Sequence, residues 1–271
     1  MKKKEYLIGD VASMIGVSRD TLRFYEKKGI LAARKKENGY RYYSEDDIFE
    51  LSSIFYHRKM NIGLEEIENL WNGNISFETS LEIANQQINA EKAAIEKHQL
   101  ALTRLRLFQE ECKKAAENLN HISLKPFPRA YIMETQDSPQ ACMISWFYQA
   151  RKEQGLDMLY TYDAYTLGGD KTGKSLTFQN SSLLMYEDLA GQLNPQPDLE
   201  QYPRTECKDC LYTIVESHSR IPGAEVIASM MQWAGEHGQN AGDQVLSTYI
   251  MHGMQDGEFT YYLEIYIPLA A

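Results

Sequence analysis

The chain has 271 residues, 43% of them apolar, which is enough for two packed cores and a connecting element. Its net charge is −10, so read as a whole it repels nucleic acid. No apolar run reaches membrane-spanning length, Met1-Lys2-Lys3-Lys4 is not followed by a signal-peptide core, and the four cysteines lack a secreted disulfide spacing, so a cytoplasmic protein without membrane partners is expected.

The charge is unevenly placed. Residues 1–60 hold 13 Lys/Arg and 9 Asp/Glu, a net of +4, whereas residues 61–122 carry −4 and residues 123–271 carry −10. The basic end is equipped for phosphates. The acidic end favours a cationic partner or is a solvated surface. In Tyr6–Tyr43 the residues Leu7, Val11, Met14 and Ile15 recur at helical spacing, and Gly16-Val17 breaks it. Ser18 is placed to cap a second helix through its hydroxyl. In that helix Leu22, Phe24 and Tyr25 are expected inside, with Arg19, Asp20 and Arg23 outside. Asn38-Gly39 between two extendable runs, Arg34–Glu37 and Tyr40–Tyr43, signals a basic hairpin. Two helices, a tight turn and outward arginines suit a major groove.

The segments Ile8-Gly9, Val11-Ala12, Gly16-Val17-Ser18, Thr21-Leu22-Arg23-Phe24-Tyr25-Glu26, Gly29-Ile30-Leu31 and Asn38-Gly39-Tyr40-Arg41-Tyr42-Tyr43 occur in one order over the first quarter of the chain. Together they closely resemble the winged helix-turn-helix of the MerR transcription regulators. The resemblance implies DNA contacts by Ser18, Arg19, Thr21, Arg23, Tyr25, Tyr40, Arg41 and Tyr42. Phosphate contacts by Arg58 and Lys59 are expected from the supporting helices behind the head. Tyr43 and Phe24 are expected in the core.

Ser44-Glu45-Asp46-Asp47 is a helix start, with a capping serine and acids in the first turn. That helix runs through Ile48, Leu51, Ile54 and Phe55 to about Lys59. Asn61-Ile62-Gly63 ends it, and a short helix Leu64–Trp71 follows. Residues 76–118 contain no Pro or Gly, and Leu81, Ile88, Ile95 and Leu102 repeat every seven residues. This predicts a helix spanning about 60 Å with a coiled-coil seam that needs a partner helix. The resemblance makes it the antiparallel coiled-coil dimerisation helix of a homodimer. Two prolines, Pro126 and Pro128, mark a linker. The expected domains are a head at 1–75, the dimerisation helix at 76–120, the linker at 121–128 and an effector-binding domain at 129–271.

From Arg129 the pattern is α/β (α+β). Strands are expected at Ala130–Thr135, Asp157–Leu167, Ser182–Leu189, Leu211–Ser217, Gln244–Met251 and Glu258–Pro268. Helices are expected at Pro139–Gln154 and Pro222–His237, with a turn at Gly168–Lys174 and a Pro-rich crossing at Asn194–Pro203. Strand–helix–strand–strand thus occurs twice. The repeat and the ending Tyr261–Leu269 resemble the effector domain of the gyrase-inhibitor-like superfamily, and its multidrug-sensing branch in particular. Residues 127–271 hold 12 Tyr, 4 Phe and 2 Trp. Alternation puts Tyr262, Glu264 and Tyr266 on one face of the last strand, against Tyr261, Leu263, Ile265 and Ile267. In the strand before it Leu246, Thr248 and Ile250 oppose Ser247, Tyr249 and Met251. Met158, Tyr160 and Tyr162 share a face in the same way. Helices on the aliphatic side leave an aromatic cleft, rimmed by Met143, Trp146 and Phe147 from the first helix and Met230 and Trp233 from the second. Tyr160, Tyr162, Tyr249, Tyr262, Glu264 and Tyr266 complete the expected ligand set. Rings and a carboxylate suit a small hydrophobic, aromatic compound, cationic or neutral. The drug-sensing branch often carries an acid on the penultimate strand, and Val245–Met251 has none, which shifts that role to Glu264 or Asp163.

Cys207-Lys208-Asp209-Cys210 is a weak metal or redox signal without a second pair, and Cys112 is expected to pack in the helix seam. No metal or cofactor is expected. The leading functional expectation is a dimeric activator that binds promoter double-stranded DNA. It senses an effector and distorts the promoter spacer for RNA polymerase. In the alternative the second domain is an enzyme that hydrolyses or modifies its ligand, with Glu264 as general acid or base assisted by Tyr262 or Tyr266. A constitutive architectural DNA binder would leave the aromatic half without a role.

Overall fold

A computed structural model describes residues 4–72, 76–152, 155–168, 175–193, 197–255 and 257–270. The chain divides into two units, residues 1–95 and 96–271. In the first, β1 (Glu5–Leu7) leads into α1 (Ile8–Ile15) and α2 (Arg19–Lys27). Gly16 joins the helices at φ +71°, a left-handed conformation that costs a residue with a Cβ, and Ser18 Oγ accepts from Thr21 N at 3.0 Å. β2 (Arg34–Lys35) and β3 (Arg41–Ser44) pair antiparallel around Gly39, at φ +81°, in a three-stranded sheet ordered β1-β3-β2. Ser44 and Asp47 form a reciprocal cap at the start of α3 (Glu45–Lys59), and α4 (Leu64–Asn72) follows.

Val11, Leu22, Tyr43, Leu51, Ile54 and Ile67 form the fully buried centre of this unit. Helical spacing explains a departure from expectation in α2. Leu22 and Tyr25, three apart, share the buried stripe, and Phe24 is rotated out and is 45% exposed. Leu7 and Met14 also lie outside the core. Tyr43 OH donates to Glu26 Oε1 at 2.5 Å, and Arg41 Nε donates to Glu26 Oε2 at 2.7 Å, tying the hairpin to α2. A hydrogen bond to a carboxylate is worth more than a neutral one. Tyr43→Phe is therefore expected to cost about 2 kcal/mol of stability. Urea unfolding followed by hairpin-located fluorescence would read it, and a loss near zero would remove this tie from the account.

The long helix α5 (Phe77–Asn118) has 42 residues. Leu81, Ile88, Ile95, Leu102 and Leu105 are each half exposed or more.

In the second unit β4 (Ser123–Pro126), β5 (Ala130–Gln136), α6 (Pro139–Lys152), β6 (Tyr160–Leu167), β7 (Leu176–Tyr186), a one-turn α7 (Glu187–Ala190), β8 (Asp209–Ser217), α8 (Ala224–Glu236), β9 (Gln244–Gln255) and β10 (Glu258–Pro268) follow in order. The sheet is ordered β4-β8-β10-β9-β6-β7-β5 and every ladder is antiparallel, so this unit is α+β. α8 packs Ile227, Met230 and Ala234 on Leu211, Leu263, Ile265 and Ile267, and Cys142 of α6 is buried on the same face beside Ser181. The C-terminal part of α5 packs Leu107 and Ala115 on the other face, with Tyr162, Tyr212 and Tyr266. At one margin β4 has four residues and ends at Pro126. At the other, β5 bulges at Met133, and its outer edge bonds to residues 203–205: Ile132 N to Pro203 O at 2.7 Å and Thr205 N to Ala130 O at 2.9 Å.

Several boundaries differ from the sequence reading. Gly155, at φ +95°, starts a 3₁₀ turn over Leu156–Met158, so β6 begins at Tyr160 rather than Asp157. β7 stops at Tyr186, and Glu187–Ala190 turns helical instead of extending the strand. Gly223 precedes α8, which leaves Pro222 outside its first turn. The register of β9 and β10 shifts at Ile250, so Met251 pairs with Tyr262 and joins the α5 face rather than sharing one with Tyr249. The expected turn at 169–174, the crossing at 194–196 and the helix end at 153–154 lie outside the described residues.

Candidate functional site

On the head, Ser18, Arg19 and Arg23 are exposed along α2 and Tyr40 is 62% exposed at the hairpin tip. Among the described residues Arg23 pairs with Asp20, at 2.8 Å, and both side chains are open to solvent. Thr21 is half buried, and its hydroxyl lies 2.8 Å from that of Ser18. Tyr42 lies under Lys36, 4.4 Å from Nζ to ring centroid. Tyr25, expected to reach DNA, is instead buried on the Leu22 stripe. Arg41 spends its Nε on Glu26, and Arg58 donates to Ile62 O at 2.8 Å. Lys59 sits 5.2 Å over the ring of Phe55.

The second unit holds a cavity of about 410 Å³ between α5, α6 and the sheet. Trp146 and Met143 of α6, Phe108 and Leu107 of α5, Tyr160 and Tyr249 line it. Its charged groups are unequal. Arg104 and Asp157 neutralise each other through two bonds of 2.5 and 2.7 Å. Burial opposes ionisation of Asp157, but those bonds outweigh it and hold its carboxyl below the usual range. Glu111 has no ion pair among the described residues. It accepts a hydrogen bond from Tyr160 OH at 2.5 Å, and burial holds its carboxyl above the usual range despite that bond. Glu111 also lines a second cavity of about 480 Å³, with Phe127, Tyr186 and Lys114. Tyr160 and Tyr186 stack between the two at 4.3 Å.

Beneath them lies Glu264, fully buried. Lys114 Nζ is 2.9 Å from Oε1 and 3.0 Å from Oε2. Tyr212 and Tyr266 each donate to Oε1 at 3.0 Å, and Tyr162 donates to Oε2 at 3.3 Å. Tyr162 OH also bonds that of Tyr186 at 2.7 Å. Burial, then the Glu264 charge, push the Tyr162, Tyr212 and Tyr266 hydroxyls well above the usual tyrosine range, so they stay protonated donors.

A family model described as MerR HTH family regulatory protein matches residues 6–73. An HTH-type transcriptional regulator ZntR homolog of Haemophilus influenzae is 30% identical over 105 residues, 38% of this chain and 78% of that protein. The chain belongs to the MerR family of helix-turn-helix regulators. The HTH-type transcriptional regulator ZntR of Escherichia coli K12 is 38% identical to this MerR-family chain over 66 residues, 24% of the chain and 47% of that protein. The chain thus spans about half the length of that relative. A solved MerR-family transcriptional regulator from Bacillus cereus is similar at 28% identity, over 42% of this chain and 84% of that one, with a TM-score of 0.36.

Of the ligand residues expected from the sequence of this MerR-family regulator, the structure gathers Met143, Trp146, Tyr160 and Tyr249 around one cavity. It draws Tyr162, Glu264 and Tyr266 together below it. Phe147 stands edge-on to Trp146 and is 59% exposed. Tyr262 points its hydroxyl at Glu216, 3.3 Å away. Met230 and Trp233 line neither cavity: they pack in the cluster of Leu211, Leu263, Ile265 and Ile267, Met230 fully buried and Trp233 partly. Glu264 lines neither cavity, so as a general acid or base it has no path to a substrate in this arrangement. Sequence reading missed Arg104, Glu111 and Lys114. They lie seven and three residues apart on α5, a signal present in the sequence but masked by the apolar seam. Cys210 is buried and its thiol is pushed up to about 11 by burial, while Cys207 is exposed, and no group of metal-binding side chains occurs among the described residues. Cys112 lies 3.9 Å from Met251 Sδ and faces the sheet rather than the seam.

Proposed function

We propose that this MerR-family chain is a ligand-responsive transcription activator. α2 and the β2–β3 hairpin read double-stranded promoter DNA, with Ser18, Arg19, Thr21, Arg23, Tyr40 and Tyr42 as contacts. Arg41, Arg58 and Lys59 hold phosphates by whatever donors their internal bonds leave free. Two copies pair through the exposed seam of α5 as an antiparallel coiled coil. In the first unit that seam borders an apolar groove of about 510 Å³ lined by Leu70, Ile83, Ile88 and Ile95. Effector binding in the second unit lets the dimer untwist a long promoter spacer for RNA polymerase.

The observation that carries the effector reading is the 410 Å³ cavity, with its aromatic walls and one buried acid that makes no ion pair among the described residues. A lipophilic aromatic cation fits that chemistry. Rings attract it by their quadrupoles, and a cation beside Glu111 favours the ionised carboxylate that burial opposes. Triphenylphosphine oxide is the neutral comparison to tetraphenylphosphonium, with an accepting oxygen in place of the fourth ring. Glu111→Gln is expected to weaken the phosphonium about ten-fold, roughly 1.4 kcal/mol, and to leave the neutral compound unchanged. Calorimetry on full-length protein measures both. DNase footprints on a duplex selected from a random pool, with and without the phosphonium, test the coupling. Equal losses for both compounds, or a footprint indifferent to ligand, would sink this reading.

A further inference from the structure

Glu264 and Lys114 are 150 residues apart in sequence and in direct contact. The carboxylate is wholly desolvated, which requires a cation beside it. Around it Tyr162, Tyr212 and Tyr266 donate, Ile214 and Thr248 are its cross-strand neighbours, and Phe127 stands edge-on to Tyr162 and Tyr266 at 5.2 and 5.1 Å. Lys125, the other nearby cation, is held by Asn118 Oδ1 at 2.7 Å and lies over the Tyr212 ring. Lys114 reaches the carboxylate on a flexible stem, and its side chain is 29% exposed where it borders the 480 Å³ cavity. The site therefore has a ring-lined carboxylate at its floor, a cavity above, and a long, partly exposed lysine side chain as its cation.

We propose that Lys114 is a tethered stand-in for ligand, filling a subsite at Glu264 that an organic monocation takes over when it enters through the 480 Å³ cavity. The proposal rests on the effector reading above through Glu111, which lines the 480 Å³ cavity as well as the 410 Å³ one, and says how the ligand acts. A phosphonium or quaternary ammonium offers no N–H, but Glu264 keeps its three tyrosine donors and so stays hydrogen-bonded. The rings supply cation–π attraction in place of the lysine bonds. Exchange breaks the ion pair that fastens α5 to the sheet and replaces it with one between ligand and sheet. Ligand occupancy is thereby linked to the hold on α5, since the ligand binds better to the state in which Lys114 has let go.

The test compares full-length wild type, Lys114→Met and the double variant Lys114→Met/Glu264→Gln, with the same two probes. Lys114→Met, which keeps the length of the side chain and removes the competitor, is expected to bind tetraphenylphosphonium at least ten-fold more tightly. Triphenylphosphine oxide should be unaffected, and the double variant should lose the gain. Because Lys114→Met leaves a buried carboxylate unpaired, a second measurement uses wild type alone. Saturating phosphonium should raise reductive methylation of Lys114 several-fold, read by mass spectrometry, and the neutral compound should not. Unchanged phosphonium affinity in folded Lys114→Met, a gain shared by the neutral probe, or unchanged labelling of Lys114 overturns the proposal. If Glu111→Gln still weakens the phosphonium, the effector site stands and only the exchange fails. If no variant binds either probe, both fail.

Discussion

Lys114→Ala is expected to cost the second unit about 3 kcal/mol, lowering its melting temperature by roughly 6–12 °C. The basis is asymmetry. Glu264 is fully buried and Lys114 is its only ion-pair partner among the described residues. Without the lysine, three tyrosine hydroxyls still bond the carboxylate, but none carries a compensating charge. Glu264→Gln should cost less, because the freed ammonium can turn into the adjoining cavity and be hydrated. Lys114→Ala/Glu264→Gln should recover most of the loss, so the coupling in the double-mutant cycle should be large, on the order of 2 kcal/mol. Thermal melts of the four proteins measure it. Additive losses would mean that the ion pair contributes nothing beyond packing.

Arg23→Ala should weaken binding to a selected DNA site about 100-fold, while ligand affinity stays within about two-fold. A well-made base contact is worth about 1–3 kcal/mol, and the proposed dimer would lose it in both copies. The fold should survive. The Arg23–Asp20 pair is exposed at both ends, and such pairs add little to stability. Fluorescence anisotropy across a salt series gives affinity and slope together. Duplexes selected by the wild-type protein should carry two-fold symmetric half-sites. Intact affinity in Arg23→Ala would place the recognition surface elsewhere on the head.

The head was largely legible because its signals are local. Ser18, Gly16, Asn38-Gly39 and Ser44 mark caps and turns by their own chemistry, and each acts within three residues of itself. The error at Phe24 arose where two aromatics adjoin, since a pattern of apolar residues does not say which of two neighbours lies on the buried stripe, and here it is Tyr25. The faces of β10 were equally legible, because alternation is geometry. What no local pattern showed was the partner of Glu264. Lys114 reads as one more charge on a long helix, and only the packing of α5 on the sheet brings them together. The same holds for Arg104 and Asp157, 53 residues apart. Met251 changed faces because one extra residue in β9 has no signature of its own.

One margin of the large sheet is a strand of only four residues that ends in proline, and the other is a bulged strand whose outer edge is bonded to residues 203–205. A sheet so hemmed does not lengthen by borrowing a strand from a neighbour. Seven strands of alternating apolar side chains would otherwise be a template for fibrils. Crowding of many copies, as in overexpression or a desiccating cell, should therefore leave this unit free of cross-β deposits, so that any self-association runs through helices and reverses on dilution.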